Sequence, residues 1–534
     1  MKLTPLLSFG ALTAQALVLP QKVPDCATFG AGVALGAYDA KLLNTTYYPI
    51  GSLNNSDVLN TVAFCELYAS VSYGTGNDTL IFALWLPDIL DYDNRFMAVG
   101  NDGMAGVIDY ANMMLQLNSG MGFAVAGGHA GHLASLNNGG GGAPGVYLPY
   151  LHDRNQVQAW IHDAISLFTP AAKALTAVYF GHQARYAYYD GCSTGGAQGF
   201  ALAQLHPELF DGIYAGSPGN WYSHLALSFL WNAQHTNQKR TTHRSMRRLT
   251  ICQTSATYLT QAVLNFTGNA VLAACDTIDG VHDGLIEDPL RCHFDLISLA
   301  CNGSYASAAS GTSTTCLTPS QIAAMEAFYA GPVRSDNGTQ LYPGFSFGSE
   351  TAWLLQEGIL AEAFSIPILQ NLVYDNLAYN SSTFNWASNV ADVDARAGSL
   401  IDEIGPDLSA FRNRSGKMLV TQEWADPLNA ATWPIEHLEQ IEDFFNGDVS
   451  DFMNLFMVPG GGHCGAAQSY PGVPATYHTV AALVEWVERG VKPKELLSTD
   501  PPDGSKRTRK LCVWPATARF VGPDVNDWNS YVCE

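Results

Sequence analysis

The feature that most constrains this chain is the glycine-rich segment around Ser193. Residues 189–196 read Tyr-Asp-Gly-Cys-Ser-Thr-Gly-Gly and contain the pattern G-x-S-x-G. A predicted strand, Tyr186 to Tyr189, precedes this segment, and a helical pattern from Ala197 to His206 follows it. A serine on a sharp turn between a strand and a helix is typical of a nucleophile elbow. The alternative is an ordinary glycine-rich loop, which the strand and the helix on its flanks disfavour.

An elbow of this kind predicts acyl chemistry at the serine. The helix that begins behind Ser193 offers unpaired N–H groups and the positive end of its dipole to a developing oxyanion. The backbone N–H of Thr194 is the natural first donor. A nucleophilic serine also needs a base, and the base needs an acid that orients it. In this type of fold the chain order is serine, acid, histidine.

His463 is the candidate base. It lies in the segment 459–465, Pro-Gly-Gly-Gly-His-Cys-Gly, after a predicted strand and before the last predicted helix. Cys192 directly precedes Ser193, and Cys464 directly follows His463. Because a disulfide holds its two Cα atoms about 5.5 Å apart, a bridge between these cysteines would bring the serine and the histidine together. The alternative is that both cysteines pair elsewhere.

The candidate acid is Asp426, which lies between the other two residues in the sequence Trp-Ala-Asp-Pro-Leu. It follows the predicted strand Met418–Val420 by a short loop, and the next residue, a proline, favours an extended conformation for Asp426. An aspartate before proline is also a common turn residue. Other candidates, which lack the context of a strand followed by a loop, are Asp402, Asp407 and Asp451.

Strand and helix patterns alternate at both ends of the chain, which predicts an α/β fold with a mostly parallel sheet. Between about residue 220 and about residue 395 the sequence is rich in loops. We therefore predict a catalytic domain, formed by 17–219 and 396–534, with an inserted lid domain at 220–395. The remaining predicted strands are Phe96–Val99, Gly122–Ala126, Gly212–Ala215 and Leu455–Val458, and helical patterns cover Asp153–Leu175 and Val480–Val487.

The N-terminus has the pattern of a secretory signal. Lys2 is followed by an apolar run, and Ala14-Gln15-Ala16 fits a small-x-small cleavage site, so we predict a signal peptide at 1–16. The alternative is a buried N-terminal strand. Secretion makes disulfides the default state of the cysteines. Eight sequons predict glycosylation of a secreted chain, at Asn44, Asn54, Asn77, Asn265, Asn302, Asn337, Asn380 and Asn413.

The charge balance excludes some classes of partner. The formal net charge is −22, which argues against a nucleic-acid backbone or an anionic membrane surface. Charged residues make up 14% of the chain, below the roughly 25% of ordinary soluble domains, and 47% of the residues are hydrophobic. A large core is therefore available to the chain.

Two motifs together resemble the tannase and feruloyl esterase family of α/β-hydrolases. They are Gly-Cys-Ser-Thr-Gly-Gly at 191–196 and Gly-His-Cys-Gly at 462–465. The mark of that family is a disulfide between the residues beside the catalytic serine and histidine. The resemblance extends to segments 95–106 and 424–428, to an acidic loop and to the C-terminus, and so covers most of the mature chain.

The resemblance implies an α/β-hydrolase sheet with a large inserted lid. It implies Ser193 as nucleophile, Asp426 as acid and His463 as base. The turn at 100–103, Gly-Asn-Asp-Gly, should supply the second oxyanion N–H, from Gly103. Members often carry Gly-Asn-Gly-Gly there, so the carboxylate of Asp102 is a departure that can alter the rate.

A second departure precedes the acid. Members often carry His-Gly before the segment that contains the Asp-Pro pair, whereas this chain has Gln422 and Glu423. The geometry at the end of that strand is therefore less determined by the resemblance.

The acidic loop at 275–288 contains five carboxylates. It lacks the spacing of an EF-hand, and the nearby cysteines are expected to pair with each other, which disfavours zinc. Taken alone, the loop fits a solvated acidic turn and a calcium site equally. The resemblance implies a structural calcium ion held by the side chains of Asp276, Asp279 and Asp283 and by the carbonyls of Val281 and Leu285.

The resemblance also implies a pairing for ten of the eleven cysteines. Cys252 is left over. Lys239-Arg240 is a dibasic site that we expect to remain uncut, and His129 and His132 are expected to be loop residues near the site without a metal. The implied pairs are Cys26–Cys65, Cys192–Cys464, Cys275–Cys292, Cys301–Cys316 and Cys512–Cys533.

The function that the resemblance implies is a secreted serine esterase that forms an acyl-enzyme on aromatic carboxylic esters. Feruloyl-type esters are favoured slightly, and a tannase acting on galloyl esters is the alternative. Substrates would be small phenolic esters or esters of plant cell walls and tannins, with no nucleic acid or membrane partner expected. A non-catalytic binding glycoprotein on the same scaffold is a competing class, and a serine carboxypeptidase shares the order of the triad.

Overall fold

The computed structural model describes residues 24–29, 33, 35–75, 78–236, 256–301, 315–465, 467 and 470–534. Several sequence predictions fall outside the described residues. They are the signal peptide at 1–16, the dibasic site Lys239-Arg240, Cys252, and the sequons at Asn77 and Asn302.

In the described part of the chain, nine strands form one large sheet, and three pairs of short strands form separate small sheets. The strands in chain order are β1 (Ala40–Tyr48), β2 (Asn54–Asn55), β3 (Val58–Leu59), β4 (Phe64–Tyr73), β5 (Asp78–Pro87), β6 (Arg95–Val99), β7 (Phe123–Gly128), β8 (Tyr186–Cys192), β9 (Gly212–Gly216), β10 (Lys417–Glu423), β11 (Met453–Val458), β12 (Glu495–Ser498), β13 (Arg509–Cys512), β14 (Ala518–Phe520) and β15 (Tyr531–Cys533).

The large sheet has the order β1-β4-β5-β7-β6-β8-β9-β10-β11. Strands β1, β4, β5 and β7 pair antiparallel, and from β7 to β11 every pair is parallel. Each of the six strands predicted from apolar runs corresponds to one of β6 to β11, so the predicted α/β fold is confirmed. Strands β1, β4 and β5 were not predicted. Along β1 and β4, residues of different burial alternate and neither strand forms a continuous apolar run.

Helices cover the sheet and fill the region between β9 and β10. The predicted helix at Asp153–Leu175 contains a π-helical turn, Ala159–Asp163, that joins α2 to α3. The helices in chain order are α1 (Tyr110–Asn118), α2 (Arg154–Gln158), α3 (Ala164–Phe180), α4 (Thr194–Leu205), α5 (Tyr222–His235), α6 (Gln261–Cys275), α7 (Pro319–Ala330), α8 (Ser388–Val393), α9 (Ser399–Ile401), α10 (Ser409–Asn413), α11 (Trp433–Phe445) and α12 (Thr479–Arg489).

The parallel part of the sheet is covered by packed helices, as an α/β fold requires. On α12, Leu483 and Val484 pack in one cluster with Tyr188 of β8 and Leu419 of β10. This is the apolar stripe that the spacing of the valines and leucine predicted. On α3, Phe168 belongs to another cluster, which includes residues of β5, β6 and β8.

The region between β9 and β10 is inserted into the sheet, because these two strands are parallel neighbours although about 200 residues separate them. The part of it that the structure describes contributes no strand to the large sheet. It has an apolar cluster of its own that includes Leu264, Phe328 and Trp353. Val390 and Ile401, by contrast, pack in the same cluster as the sheet. The division at 220 and 395 stays a prediction.

The parallel strands bring distant segments of the chain to one edge of the sheet. Cys192, Glu423 and Val458 end β8, β10 and β11, and the carboxyl ends of parallel strands share an edge. Among the described residues, no single helix is long and apolar enough to span a membrane; only the bent pair Glu350–Glu357 and Ala361–Val373, taken together, meets the criteria of length and composition.

Candidate active site

Ser193 occupies the predicted sharp turn between β8 and α4. Its φ of 61° and ψ of −119° are a strained conformation for a residue with a side chain. Its N–H donates a hydrogen bond to the carbonyl of Gly216 in the neighbouring strand, at 2.9 Å. A Cβ atom at Gly191 would lie 2.7 Å from the carbonyl oxygen of Gly195, so the backbone closes this tightly only around glycine. The geometry is that of a nucleophile elbow.

A disulfide joins Cys192 to Cys464 with a Cα–Cα distance of 5.9 Å, which confirms the predicted bridge. It links the elbow to the loop after β11, and the neighbouring residues Ser193 and His463 both line one cavity. The other four predicted pairs, which resemblance alone implied, are also formed.

Asp426 lies in the loop after β10 and contacts His463. The distance from Nδ1 of His463 to Oδ2 of Asp426 is 2.8 Å. The carboxylate is buried, and its Oδ1 accepts hydrogen bonds from the N–H groups of Leu428 and Asn429, at 2.8 and 3.0 Å. These two backbone donors fix the orientation of the carboxylate. The arrangement is the one in which an acid orients a catalytic histidine.

The other aspartates considered from the sequence are engaged elsewhere. Asp402 accepts hydrogen bonds from the N–H and the hydroxyl of Ser223, at 2.8 and 2.6 Å. Asp407 accepts from the N–H of Ser409, and Asp451 forms an ion pair with Arg412. Of the four candidate acids, Asp426 is the one that the structure places against His463.

The electrostatic surroundings of His463 favour its role as a base. Burial lowers the pKa of His463, but the charge of Asp426 and its hydrogen bond outweigh this, and with Glu423 and Asp102 they raise the pKa above its ordinary value. Nε2 is buried and has no hydrogen-bond partner among the residues that the structure describes. When no substrate is bound, the hydrogen bond between a catalytic serine and its histidine is often long. The absence of a partner is therefore compatible with Nε2 receiving the proton of Ser193.

Thr194 and Gly103 are brought together as the two expected oxyanion donors. Thr194 begins α4, where N–H groups lack helical partners, and its hydroxyl donates to the carbonyl of Gly103 at 2.7 Å. Asn101 accepts from the side-chain amide of Gln198 at 3.1 Å and donates with its own N–H to that side chain at 3.0 Å. Gln198, on α4, therefore fixes the turn that contains Gly103 against the elbow helix.

Asp102 contributes a carboxylate to the cavity that contains Ser193 and His463. Its side chain is partly exposed to solvent, and no cation pairs with it among the described residues. Loss of hydration and the charge of Asp109 raise the pKa of Asp102, and His463 opposes this rise. The departure noted in the sequence thus places a negative charge at the site itself.

The cavity has a volume of about 260 Å³, and most of its wall is apolar. Five of its residues come from the region inserted between β9 and β10: Gly219, Tyr222, Leu225, Phe229 and Phe364. It is small for a binding pocket, and its apolar wall suits a flat apolar or aromatic group. The lining is completed by Asp102, Gly103, Ser193, Leu428, Asn429, His463 and Cys464.

Three residues that support the triad were not assigned a role from the sequence. The side-chain amide of Gln422 donates to Oδ2 of Asp426 at 3.0 Å. The hydroxyl of Ser217 donates to the carboxyl of Glu423, and the N–H of Cys464 donates to the same hydroxyl at 3.1 Å. Gln422 and Glu423 are visible in the sequence as departures from the family pattern, but no signal marks Ser217.

The acidic loop is neutralised in part by arginines from the C-terminal segment. The guanidinium group of Arg509 is buried and contacts Asp279 and Glu287, at 2.8 Å each, and Asp283. Asp283 also pairs with Arg507. Nothing in the sequence indicated this contact, because more than 220 residues separate the arginines from the loop.

The predicted calcium ligands are close in sequence but are not gathered around one point. Oδ1 of Asp276 accepts hydrogen bonds from the N–H groups of Asp283, Gly284 and Leu285. Val281, whose carbonyl is a predicted calcium ligand, donates its N–H to Asp279. Within the described ranges, no three Asp, Glu, His or Cys side chains form a group that could hold a metal ion. Oδ1 of Asp283, however, is buried without a hydrogen-bond partner there.

The charge at this loop is nevertheless suited to a hard cation. Three carboxylates, those of Asp279, Asp283 and Glu287, contact the two guanidinium groups of Arg507 and Arg509, and a fourth, Asp276, contacts His282. The four carboxylates outnumber the two guanidinium groups by two negative charges. Carboxylate and carbonyl oxygens are the donors that calcium prefers. The donor chemistry and the unpaired oxygen of Asp283 therefore fit the ion.

His129 and His132 are buried structural residues. Nε2 of His129 accepts from the N–H of Ile81 at 2.9 Å, and His132 lies 2.8 Å from the carbonyl of Met104 and stacks on Tyr150. Burial lowers the pKa of each histidine to about 4, so both are neutral near pH 7.

Comparison with known proteins gives one family and several relatives. The family described as tannase and feruloyl esterase matches residues 65–534. A probable feruloyl esterase B-1 of Aspergillus flavus is 28% identical over 492 residues, which cover 88% of this chain and 86% of the relative.

The solved structures that are similar to this one include a feruloyl esterase and a tannin acyl hydrolase. Feruloyl esterase B from Aspergillus oryzae has a TM-score of 0.79 at 26% identity, covering 95% of this chain and 99% of that one. Tannin acyl hydrolase from Aspergillus niger has a TM-score of 0.69 at 20% identity, covering 96% and 93%, and shows the shared fold.

Proposed function

Because the chain belongs to the tannase and feruloyl esterase family and is therefore a carboxylic ester hydrolase, we propose that it cleaves phenolic esters through an acyl-enzyme on Ser193. His463 is the general base and Asp426 orients it. Hydroxycinnamoyl esters of the feruloyl type are the preferred substrates. The named relatives include feruloyl esterases that match this chain over most of its length.

The reaction would proceed in two steps. Ser193 Oγ attacks the ester carbonyl while Nε2 of His463 takes its proton, and the alcohol leaves with that proton. Water then attacks the acyl-enzyme by the same route and releases the acid. The N–H groups of Thr194 and Gly103 would bind the oxyanion in both steps.

One observation carries this proposal: the 2.8 Å contact between His463 and Asp426 belongs to a loop that a disulfide fixes beside Ser193. The proposed acid and base are thus in contact, Ser193 lines the same cavity as His463, and the three residues follow the chain order of a hydrolase triad. A scaffold retained only for binding would have no need of this arrangement.

The test is the Ser193→Ala variant, with turnover of methyl ferulate and labelling by a fluorophosphonate probe as measurements. We expect turnover to fall by about a thousandfold or more and labelling to be lost, while circular dichroism stays that of the parent. Turnover by the variant at the rate of the parent would refute the mechanism. Absence of labelling in the parent protein would favour the non-catalytic class.

The acyl preference is tested by comparing methyl ferulate, methyl caffeate and methyl gallate. The small apolar cavity leads us to expect the highest kcat/KM with the hydroxycinnamoyl esters. A preference for methyl gallate would instead identify a tannase. Because Phe229 and Phe364 line the cavity from the inserted region, we propose that this region acts as a lid and shapes the acyl site.

We also propose that the acidic loop holds a structural calcium ion. Asp276, Asp279 and Asp283 would supply carboxylates, and Val281 and Leu285 would supply carbonyls. The ion would offset the negative charge of the loop that Arg507 and Arg509 do not neutralise. Support comes from the unpartnered oxygen of Asp283, whose side chain is 1% exposed. The ion would stabilise the loop and take no part in the ester chemistry.

Metal analysis of the purified protein and calorimetric titration of the chelated protein with calcium test this site. We expect about one ion per chain and a lower Tm after chelation. Asp276→Asn should weaken binding, with Asp288→Asn as a control in the same loop. If the protein binds no calcium and chelation leaves its Tm unchanged, then Arg507 and Arg509 neutralise the loop sufficiently without an ion.

Secretion with removal of residues 1–16, and glycosylation, complete the proposal. The five disulfides indicate an oxidising compartment. The six sequon asparagines that the structure describes, at 44, 54, 265, 337, 380 and 413, are all exposed. A mature N-terminus at Leu17 and a mass loss after glycosidase treatment are the expected results in a secreting host.

A further inference from the structure

Glu423 is a second buried carboxyl group beside the triad, and the ester chemistry does not use it. It is the last residue of β10, and none of its surface is exposed. One of its oxygens accepts a hydrogen bond from the hydroxyl of Ser217, and the other, Oε1, has no partner among the described residues. A buried carboxyl with one unsatisfied oxygen costs stability, so its retention at this position calls for a reason.

Ser217 connects Glu423 to the loop of the base. Its hydroxyl accepts a hydrogen bond from the N–H of Cys464, at 3.1 Å, and its carbonyl accepts from the side chain of Asn429, at 2.6 Å. Its φ is 35°, which a residue with a side chain adopts only when its surroundings hold it there. Cys464 is the neighbour of His463, so this short chain of contacts ends at the base.

Glu423 also contacts the same loop directly. A Cβ at Gly461 would lie 2.7 Å from Cγ of Glu423, so the backbone before His463 packs against the side chain. Gly461 in turn accepts a hydrogen bond from the N–H of Ala425, at 3.0 Å. The end of β10 and the loop of His463 therefore form one packed unit, with Glu423 between them.

We propose that Glu423 is a positioning residue for the general base, acting through Ser217 and the N–H of Cys464 to hold the ring of His463. The proposal rests on the proposed function, since it assigns the base to His463. It assigns a role to Glu423, which stands where the family pattern has glycine.

The ionisation state of Glu423 should then affect the basicity of His463. Burial, followed by the charge of Asp426, raises the pKa of Glu423 to about 8, while Ser217 and His463 oppose the rise. The ionisable groups that face it are Asp426 and His463 from the two loops, Tyr214 from β9, and Tyr477. Ionisation of Glu423 above this pH adds a negative charge near the imidazole and makes it a stronger base.

The experiment measures the rate at which a fluorophosphonate labels Ser193 as a function of pH, because this rate does not depend on the identity of the ester. For the parent we expect a second rise near pH 8, which Glu423→Gln should abolish. Ser217→Ala should slow labelling by about tenfold at every pH. Glu357→Gln is the matched control, because Glu357 is also buried, has an unpartnered oxygen and a pKa raised to about 8, but contacts the N–H of Leu259 in the inserted region.

Two results would overturn the proposal: a Glu423→Gln profile that superimposes on that of the parent, or unchanged labelling in Ser217→Ala. A profile changed equally by Glu357→Gln would assign the effect to the fold in general and would also overturn it. Failure of the parent to label at all would count against the proposed function instead. The two failures are therefore distinguishable.

Discussion

At the scale of single residues, Asp102 is the clearest departure that reaches the reacting groups. Its carboxylate lies in the same cavity as Ser193 and His463 and helps to raise the pKa of His463. A negative charge here has opposing effects. It stabilises the imidazolium that forms during proton transfer, and it repels the oxyanion if it stays ionised.

Replacing Asp102 with asparagine should therefore move the acidic limb of the pH profile. His463 must be neutral to accept a proton, so activity is lost as the pH falls through its pKa, and a lower pKa shifts this loss to lower pH. The measurement is kcat/KM for a neutral ester between pH 5 and pH 8. Asp57→Asn, at an exposed position in the turn between β2 and β3, is the control. If the acidic limb of the pH profile is the same in Asp102→Asn as in the parent, the proposed effect of Asp102 on the pKa of His463 is wrong.

Residues with a chemical signature could be predicted from the sequence, and residues that act by position could not. Ser193 and His463 are marked by their glycines and adjacent cysteines, and Asp426 by its place after a strand. Gln198 and Ser217 carry no such mark, because an amide or a hydroxyl becomes important only through the partner that the fold provides. Arg509 is the extreme case, since its partners lie more than 220 residues away.

At the scale of elements, one covalent bond joins two of the loops that form the site, the elbow and the loop of His463. The elbow is fixed by its own backbone, whereas the loop of His463 depends on the disulfide and on contacts with β10. Removing the bridge should leave the elbow intact and free the base. We expect the effect mainly on kcat, because the aromatic side chains of the cavity, Tyr222, Phe229 and Phe364, come from the inserted region and not from the loop of His463.

We expect the double variant Cys192→Ala, Cys464→Ala to lower kcat by about 10- to 100-fold with a smaller change in KM. Steady-state kinetics on a feruloyl ester provides the measurement. The variant Cys301→Ala, Cys316→Ala removes a bridge in the inserted region, at a sequence separation of 15, and serves as the control. An equal loss of kcat in both variants would assign the effect to stability.

The elements of the parallel sheet could be predicted because each is a continuous buried run flanked by turns. β1 and β4 could not, since the burial of residues alternates along them and their pairing is decided by the sheet as a whole. The inserted region could be recognised by its composition. Its limits could not, because α8 and α9 pack into the same core as the strands.

At the scale of the whole molecule, the fold buries several acids that remain protonated at neutral or mildly acidic pH. An unfolded chain would ionise them at their ordinary pKa, so the folded state binds more protons and loses stability as the pH rises toward the folded pKa. Burial is the main cause in each case. The groups are Asp402 with a pKa of about 6, Asp190 and Glu403 with about 7, and Glu357 and Glu423 with about 8.

Buried histidines act in the opposite direction at lower pH. His129, His132 and His437 each have a pKa lowered to about 4 by burial, so they favour folding increasingly as the pH rises from about 4 to 6.5. Above that range the buried acids titrate, and His463, whose pKa is raised, acts in the same direction, whereas Lys173, whose pKa burial lowers to about 8, opposes them. The free energy of unfolding should therefore fall between pH 6.5 and pH 8.

Urea unfolding at these two pH values, at one ionic strength, tests this expectation. Glu357→Gln should lessen the fall, because it removes one of the titrating acids without touching the triad. An exposed carboxylate such as Asp57 offers the control substitution. A free energy that rises from pH 6.5 to pH 8 in the parent would contradict the assignment of protonated buried acids.

The bridge between Cys192 and Cys464 also sets the time at which the enzyme becomes active during its synthesis. The two cysteines are 272 residues apart, so at roughly 5 to 20 residues per second the second emerges about 15 to 55 s after the first. Through that interval the nascent chain has its serine but no base, and Cys192 remains an unmatched thiol. Hydrolysis can begin only when nearly the whole chain has been translated, so an incomplete product carries an inert site.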